Sequence, residues 1–476
     1  MSHAPAVLVR VWRDVPKQRL QFEAQFPDTG QAWNLQLPTW RPGRYELGNF
    51  AQYLMDVSGV TADGQDFRLP KRGLHSWKVV EGVTTVRWTF HADILNAGST
   101  CVEEDLYYVN PVNCFMYDVD RQGLAYEIRL EDLTLDDRWG LATAMPWDDQ
   151  GGVPTLHARD VQHLMDCPWM ASPKLWHEVY REQGVDVHLW IHDCLPSDTN
   201  RFVADHVAFT RAQIASYKSF PVDEYFFLYL FPDREVRHGV EHEDSTVIAM
   251  GPAARIQSEE GYMEIIGIAS HELYHTWNVK RIRPAEWMPY DFTGPCPSEL
   301  GYVAEGVTTY MGDLFLFEAG VVDLQGWCAL MTKLLERHLN NPGRLNMSVA
   351  ASSYDTWLDG YRMGVPGRKG SIYVEGAVLA FLCDCRIMEL TGGKASLSTA
   401  MTLLWERFGR PQRGLDADSY WNILEEVAGA SLADLRTNHA EGVEDTWEPL
   451  VHAMSTQGLT LTRSKDDQGV TRVTIR

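Results

Sequence analysis

The sequence contains no apolar run near the ~18–20 residues that a helix needs to cross a bilayer. Its amino-terminal stretch, MSHAPAVLVRVWRDV, also lacks the charged start and the apolar core of a secretory signal. No stripe of basic residues offsets the formal net charge of −23, which comes from 65 acidic and 42 basic residues. These absences predict a cytoplasmic protein without a membrane or nucleic-acid partner, whose charge would attract cationic ligands such as a peptide amino terminus.

The eight cysteines are scattered along the chain, without a CxxC motif or the close spacing of a disulfide-rich domain. This distribution predicts reduced thiols rather than disulfides. Cys383 and Cys385 lie in an apolar helical pattern, where positions two apart face different directions. Both are therefore predicted to be buried thiols of the core.

The chain is long enough for two or three domains, because a single core usually stops growing near about 250–300 residues. Residues 1–165 carry short segments that alternate apolar and polar residues, such as AVLVRVW and RLQFEAQF, separated by turn signals. This pattern predicts an N-terminal β-sandwich-like domain. We expect an α/β domain at 166–325, a helical lobe at 326–455 and a hairpin at 456–476, which makes the fold class multidomain α+β.

Residues 271–275, HELYH, form an HExxH motif in a predicted helix. Positions four apart lie on one helix face, so the imidazoles of His271 and His275 can converge on one ion. Glu272 lies at the flank of that face, where it can reach an attacking water without being a ligand. Zn²⁺ suits this arrangement, since its catalytic sites take three protein ligands and keep one position open. The alternative is an amphipathic helix that carries two chance histidines.

The start and end of two helices follow from local signals. The HExxH helix is predicted to begin after Ser258, which two glutamates follow, and to end at Pro284. A second helix is predicted from Ser298 to about Ala319, with Gly320 as its stop.

The second helix presents Glu305 in YVAEGVTTY, thirty residues after His275. A carboxylate there would complete a His₂Glu ligand set like that of thermolysin-type enzymes. A solvated helix carboxylate is the alternative, which the small apolar neighbours and the lack of an adjacent basic residue disfavour. Thr308 and Thr309, one turn later, are candidate hydrogen-bond partners near the site.

Residues 238–242, HGVEH, fit HxxEH, the inverted zinc motif. That motif needs a helix, yet this segment follows the strand-like FFLYLF and a Pro-Asp turn. It is therefore predicted to be an extended edge that lines the cleft rather than a metal site.

Several segments resemble one enzyme family. HELYHTWNVKRIRP resembles the active-site helix of the M61 family, the glycyl aminopeptidases, and AEGVTTYMGDLFL resembles their third-ligand helix. LPTWRPGRYELGNFA is similar to a segment of their amino-terminal β domain, RHGVEHEDSTVI to their Gly-Gly-Leu-Glu-His strand, and SIYVEGAVLAFLCD to their Tyr-containing helix. The resemblance extends over about residues 30–450, and WNVKRIRP is its most specific part.

The resemblance implies a gluzincin metallopeptidase with a thermolysin-like α/β catalytic domain. It implies one Zn²⁺ per chain, bound by His271, His275 and Glu305. Glu272 would be the general base that activates water and later protonates the leaving amine. The family often carries a carboxy-terminal PDZ domain, and this sequence is expected to lack one.

The same resemblance assigns the substrate contacts. Tyr373 would stabilise the oxyanion of the transition state, with a core aromatic as the alternative. Glu241 would bind the free α-ammonium of the substrate, with a structural carboxylate as the alternative, and Gly239 and Val240 of the same strand would also contact the substrate. The sequence departs from the family at Val240, where leucine is frequent, and at Glu375, where lysine is common.

The resulting hypothesis is a zinc aminopeptidase that hydrolyses the N-terminal peptide bond of peptides and prefers small residues such as Gly or Ala. That preference follows from the resemblance alone. A zinc endopeptidase and a catalytically silent zinc-containing peptide-binding scaffold are the alternatives. Peptides with a free N-terminus are the expected partners, and the oligomeric state stays open.

Overall fold

A computed structural model of the chain describes residues 6–27, 32–136 and 138–476. Residues 1–5 of the predicted 1–165 domain lie outside the described part. Within that part, no helix is long and apolar enough to span a membrane. The predicted mixed α+β class is confirmed, with a β-rich N-terminal region, a central α/β region and a C-terminal helical region.

The described residues of the N-terminal region form three sheets, with two short α-helices between their strands. Its strands are β1 Ala6–Asp14, β2 Arg19–Gln25, β3 Asn34–Gln36, β4 Leu54–Thr61, β5 Asp66–Arg68, β6 Lys71–Gly73, β7 Ser76–Lys78, β8 Val83–His91, β9 Cys101–Val102, β10 Tyr107–Val109, β11 Tyr117–Asp118, β12 Ala125–Leu130, β13 Gly140–Thr143, β14 Trp147–Asp149, β15 Pro154–Ala158 and β16 Trp169–Ser172, and its helices are α1 Pro111–Cys114 and α2 Val161–Met165. The eight-stranded sheet has the order β14-β15-β12-β1-β2-β8-β4-β5, and the four-stranded sheets have the orders β13-β16-β10-β9 and β11-β3-β7-β6. Alternating burial along β1 and β2 places their apolar side chains in one core.

The α/β region is built on a five-stranded sheet of the order β17-β18-β19-β21-β20. Its elements are β17 Leu175–Glu182, β18 Val185–Asp193, α3 Thr199–Tyr217, β19 Glu224–Phe231, β20 Val236–Glu241, β21 Ser245–Gly251, α4 Glu259–Tyr274, a π-helical turn at Tyr302–Val307 and α5 Thr308–Glu318. Strands β18, β19 and β21 are parallel, whereas β20 runs antiparallel to β21 at the edge of the sheet. This edge strand lies beside α4 and takes part in the site described below.

The C-terminal region is helical and ends in a hairpin. Its elements are α6 Leu324–Leu339, α7 Val349–Asp359, α8 Ile372–Thr391, α9 Leu397–Leu404, α10 Ala417–Ala428, α11 Ala433–Leu435, α12 Trp447–Thr456, β22 Leu461–Lys465 and β23 Thr471–Ile475, with π-helical turns at Trp405–Gly409 and Arg436–Ala440. Short 3₁₀ segments elsewhere in the chain are Val15–Lys17, Phe50–Tyr53, Ala253–Gln257, Ala285–Trp287 and Pro342–Leu345. One apolar cluster joins the five-stranded sheet to these helices, and a second fills the N-terminal region and takes in Trp287 and Trp357.

The predicted domain limits after residues 165, 325 and 455 stay predictions, although β16, which follows residue 165, pairs with β10 and β13. Cys383 and Cys385 are both buried and free.

The helix that carries the HExxH motif begins as predicted but ends early. The Ser258 hydroxyl accepts a bond from the Gly261 amide at 3.1 Å and so caps α4. The helix ends at Tyr274 rather than at Pro284, because the chain after it folds into consecutive turns in which a carbonyl is directed at the site. The predicted second helix starts with a π-helical turn, a feature that is frequent at functional sites.

Candidate metal centre

Three donor groups converge between α4 and the π-helical turn. The Nε2 atoms of His271 and His275 lie 3.0 Å apart. The Oε2 atom of Glu305 lies 3.7 Å from the first and 3.4 Å from the second. One donor atom from each residue can therefore face a single point, and His275 and Glu305 are almost completely buried. The structure thus brings together the three residues that the sequence predicts as ligands.

Close helix packing sets this convergence. A Cβ atom at Gly312 of α5 would lie 3.0 Å from the Cα atom of His271, so a larger residue there would push α5 away from α4 by a few tenths of an ångström. The Ser270 hydroxyl donates to the Gly312 carbonyl at 2.7 Å and fixes the same crossing.

The charges of the three candidate ligands affect one another strongly. Burial opposes the charged form of Glu305, but the adjacent imidazoles lower the pKa of its carboxyl to about 2. Burial likewise opposes the imidazolium form of His275, yet the carboxylates of Glu305 and Glu241 raise its pKa to about 10. Burial lowers the pKa of His271. The negative charge gathered around the imidazoles favours a cation at the centre.

Backbone and hydroxyl groups orient the ligands. The Asn278 carbonyl accepts a bond from Nδ1 of His275 at 2.7 Å, which fixes the ring with Nε2 directed at the other donor atoms. The Thr308 hydroxyl lies 3.5 Å from the same Nδ1 and donates to the Ala304 carbonyl at 2.6 Å. The Thr309 hydroxyl donates to the backbone carbonyl of Glu305 at 2.8 Å. The two threonines therefore hold the helix backbone around the site, while Asn278 orients the ring.

Tyr45, from the loop between β3 and β4, supplies a contact that sequence reasoning missed. Its hydroxyl donates to Oε1 of Glu305 at 2.5 Å, which leaves Oε2 free to face the imidazoles. Burial, and then the Glu305 charge, raises the pKa of the Tyr45 phenol well above its ordinary value, so the hydroxyl keeps its proton. The ring stacks on Trp287 at 4.8 Å. The residue lies within RPGRYELGN, a segment that resembles the M61 family, but nothing in the sequence indicates that it contacts Glu305.

Glu272 lies between the ligands and the edge strand. It is 5% exposed, and its Oε2 atom has no hydrogen-bond partner among the described residues. Burial raises the pKa of Glu272 well above its ordinary value, and Glu241 and Glu305 add to this rise against the opposing charge of His275. A Cβ atom at Gly239 would come closer than 3.0 Å to Oε1 of Glu272, so any other residue there would displace this carboxylate.

Glu241 is a second buried carboxylate, two residues after Gly239 in β20. It is 3% exposed, and its Oε1 atom lacks a hydrogen-bond partner in the described part of the chain. Its other oxygen is directed at the backbone of Gly43, whose φ of +77° suits glycine. Glu241, Glu272 and His275 offer donor atoms within 4.8 Å of one another. A buried carboxylate oxygen without a partner is an acceptor ready for a ligand cation.

His238 and Val240 of the HxxEH segment also lie in β20, as expected for an extended edge, and His242 directly follows the strand. The side chain of Val240 is buried on the opposite face, in a cluster with Val247 and Ala249. A substrate contact from Val240 would therefore come from its backbone. His238 faces the Arg41 guanidinium at 3.1 Å rather than the metal ligands.

Tyr373, near the start of α8, faces the site from the helical region. Its ring centroid lies 6.5 Å from that of His271, and its hydroxyl lies 3.4 Å from the hydroxyl of Tyr361, a neighbour that the sequence did not single out. Burial raises the pKa of the Tyr373 phenol well above its ordinary value, so the group is a hydrogen-bond donor at neutral pH. Glu375, the departure from the family pattern, is directed away and bonds to His338.

Helix α8 reaches the site because it crosses the π-helical turn at two glycines. A Cβ atom at Gly306 would come closer than 3.0 Å to the backbone of Gly376, and the reverse substitution would meet the Tyr302 carbonyl. The helices that carry Glu305 and Tyr373 therefore touch through their backbones.

Comparison with known proteins agrees with the class of enzyme that this site indicates. The model of the M61 glycyl aminopeptidase matches residues 264–379, and the model of the peptidase M61 N-terminal domain matches residues 11–173. Together the two models cover more than half of the chain. The protein is thus a metallopeptidase of aminopeptidase-like type. It belongs to the M61 peptidase family, as the sequence segments predicted.

Solved structures show the same fold. An aminopeptidase N family protein from Idiomarina loihiensis superimposes with a TM-score of 0.90 at 22% identity, over 98% of this chain and 81% of that chain. An M1 zinc metallopeptidase from Deinococcus radiodurans superimposes with a TM-score of 0.57 at 15% identity, over 93% of this chain and 94% of that chain. No curated protein matches the chain by sequence.

Proposed function

We propose that this metallopeptidase is a zinc aminopeptidase that removes small amino-terminal residues, Gly or Ala, from peptides. The observation that carries the proposal is the set of three donor atoms on His271, His275 and Glu305 beside two further buried carboxylates. The preference for Gly or Ala rests on membership of the glycyl aminopeptidase family.

The donor set fits zinc. Ligand distances of about 2.0–2.2 Å in a tetrahedral site place donor atoms about 3.3–3.6 Å apart. The donor separations of 3.0, 3.4 and 3.7 Å bracket that range. Zinc bound there would lower the pKa of a water and polarise the carbonyl of the scissile bond.

The protein's own residues would supply the remaining chemistry. Glu272 takes a proton from the attacking water and returns it to the leaving amine, a role that suits a carboxyl whose pKa is raised. Tyr373 donates a hydrogen bond to the oxygen that becomes negative in the transition state. Glu241 accepts from the substrate's α-ammonium through its unpartnered oxygen and so fixes which peptide bond is presented. The backbone of Gly239 lies beside that bond.

The first experiment is a panel of aminoacyl chromogenic substrates, assayed before chelation, after chelation and after zinc is restored. We expect Gly and Ala substrates to be cleaved fastest, chelation to abolish activity and zinc to restore it. Acetylated peptides should be inert because they lack the ammonium that Glu241 binds. Cleavage of acetylated peptides would instead indicate an endopeptidase, and binding of peptides without cleavage would indicate a scaffold.

The role of Glu272 is tested by Glu272→Gln, which keeps the shape of the side chain and removes its basicity. We expect kcat to fall by about 10²–10⁴-fold with unchanged zinc content, since that is the usual contribution of a general base. Glu264→Gln, in the same helix and paired with Arg255 at 2.8 Å, is the matched control and should retain full activity. Full activity in Glu272→Gln would refute the mechanism.

A further inference from the structure

Two exposed arginines near the site have no acidic partner in the described part of the chain. Arg237 lies in β20 and Arg337 in α6, and both are exposed. Neither makes an ion pair within 4.0 Å or a side-chain hydrogen bond among the residues that the structure describes. In a chain with 65 acidic residues, two neighbouring guanidinium groups without a carboxylate leave a local concentration of positive charge that an anionic ligand would neutralise.

Arg237 shares one face of β20 with the residues that flank the catalytic carboxylate. Successive side chains of a strand alternate between faces, so Arg237, Gly239 and Glu241 project to the same side. The Cβ direction of Gly239 leads to Glu272 and Ile268 of α4, which shows that this side faces the metal centre. A buried carboxylate therefore stands on one side of Glu272 and a free guanidinium on the other.

Arg337 approaches the same end of the strand from the helical region. Arg337 precedes His338, whose imidazole bonds to Glu375 two residues after Tyr373, so this end of α6 lies beside the end of α8 that faces the site. Partial desolvation, followed by the charge of Arg237, lowers the pKa of Arg337, which is the direction expected for two guanidinium groups that repel each other. Glu375 is the nearby acid that opposes this effect, but its carboxylate is already bonded to His338 and lies 3.4 Å from Asn341. Their repulsion would be relieved by one anion shared between them.

Strand β20 is also an open edge, since among the described strands it pairs with β21 alone. An extended peptide can add to such an edge as a further strand. With its ammonium at Glu241, its chain would run past Glu272 toward Arg237, four positions away, or about 13 Å at the rise of a strand. A peptide of three or four residues has that length, and it ends in a carboxylate.

We propose that Arg237 and Arg337 form a subsite for the α-carboxylate of the substrate, which makes tri- and tetrapeptides with free C-termini the preferred substrate class. This inference rests on the aminopeptidase function proposed above and adds a second anchor to it. Glu241 would bind the α-ammonium of a short peptide and the two arginines its α-carboxylate. The distance between these two subsites would select the length of the peptide.

The test compares peptide acids with their C-terminal amides. For the wild type we expect kcat/KM of Ala-Ala-Ala to exceed that of its amide by about 10-fold or more, the scale of a charge-assisted hydrogen bond. In the series from two to six alanines, kcat/KM should be highest at three or four. In Arg237→Gln the ratio of acid to amide should fall toward 1. Arg413→Gln removes another exposed arginine without an ion pair in the described residues, and it should retain the wild-type ratio.

Equal rates for acid and amide in the wild type would overturn the proposal, as would an unchanged ratio in Arg237→Gln. Binding of Ala-Ala-Ala and its amide to the Glu272→Gln variant, measured by calorimetry, gives the same comparison without turnover and without altering Arg237. If no peptide is hydrolysed by the wild type but the acid binds at least tenfold more tightly than the amide, the aminopeptidase function fails and the subsite stands.

Discussion

Replacement of Tyr45 by phenylalanine removes one hydroxyl and leaves the ring stacked on Trp287. The hydroxyl donates to Oε1 of Glu305 at 2.5 Å, within the range of bonds to an ionised carboxylate, and both groups are buried. Such a bond contributes about 1.5–3 kcal/mol net, and its removal leaves a buried carboxylate oxygen without a donor. The carboxylate would then lose the orientation that directs Oε2 at the imidazoles.

We expect Tyr45→Phe to weaken zinc binding by about 10- to 100-fold, the usual effect of losing a partner that orients a metal ligand. The dissociation constant is measured by competition with a chromogenic chelator, and melting temperatures with and without zinc report on the fold. Tyr117→Phe is the matched control, because Tyr117 is equally buried and its hydroxyl has no partner within the described part of the chain. Zinc affinity within threefold of that of Tyr117→Phe would refute the reasoning.

Two further predictions concern the glycine beside Glu272 and a buried ion pair. Gly239→Ala should displace the Glu272 carboxylate and lower kcat about 100-fold with zinc content unchanged, whereas Gly267→Ala, where a Cβ meets open space, should leave kcat intact. Asp166→Asn should reduce the free energy of unfolding by about 3 kcal/mol at pH 7, because it leaves the buried Lys280 ammonium, 2.9 Å from the carboxylate, without its counter-ion. Although burial opposes ionisation, Lys280 lowers the pKa of Asp166 below its ordinary 3.8, so the difference from wild type should persist above pH 4 and shrink below it in denaturant titrations. A pH-independent difference would contradict this assignment.

The convergence of the two histidines can be predicted from the sequence because its determinants are local. An i, i+4 pair of histidines on a helix places both rings on one face whatever the tertiary structure, and Ser258 with two following glutamates is sufficient to begin that helix. Membership of the M61 family and the mixed α+β class were likewise predicted from short segments and are confirmed. The roles of the individual site residues stay predictions until the variants above are measured.

The contacts that the sequence could not predict are those between distant segments. Tyr45 precedes Glu305 by 260 positions, and no local pattern relates a loop tyrosine to a helix carboxylate. After the early end of α4, the side-chain amide of Asn278 donates to the Val303 carbonyl at 2.9 Å, a tertiary contact that the helical pattern continuing toward Pro284 does not indicate. Arg237 and Arg337 could not be identified from the sequence for the same reason, because whether a guanidinium has an acidic partner depends on the folded surface.

The crossing of Gly306 and Gly376 has a consequence for how this scaffold can diversify. The two segments touch through backbone atoms there, and this contact sets the spacing between the Glu305 carboxylate and the phenol of Tyr373. No side chain lies between them that a mutation could shorten or lengthen gradually. A single added methyl group would force the helices apart in one step. Variation in the peptides that such enzymes accept must then arise at the rim, on the edge strand and the loops around it, while the centre stays constant.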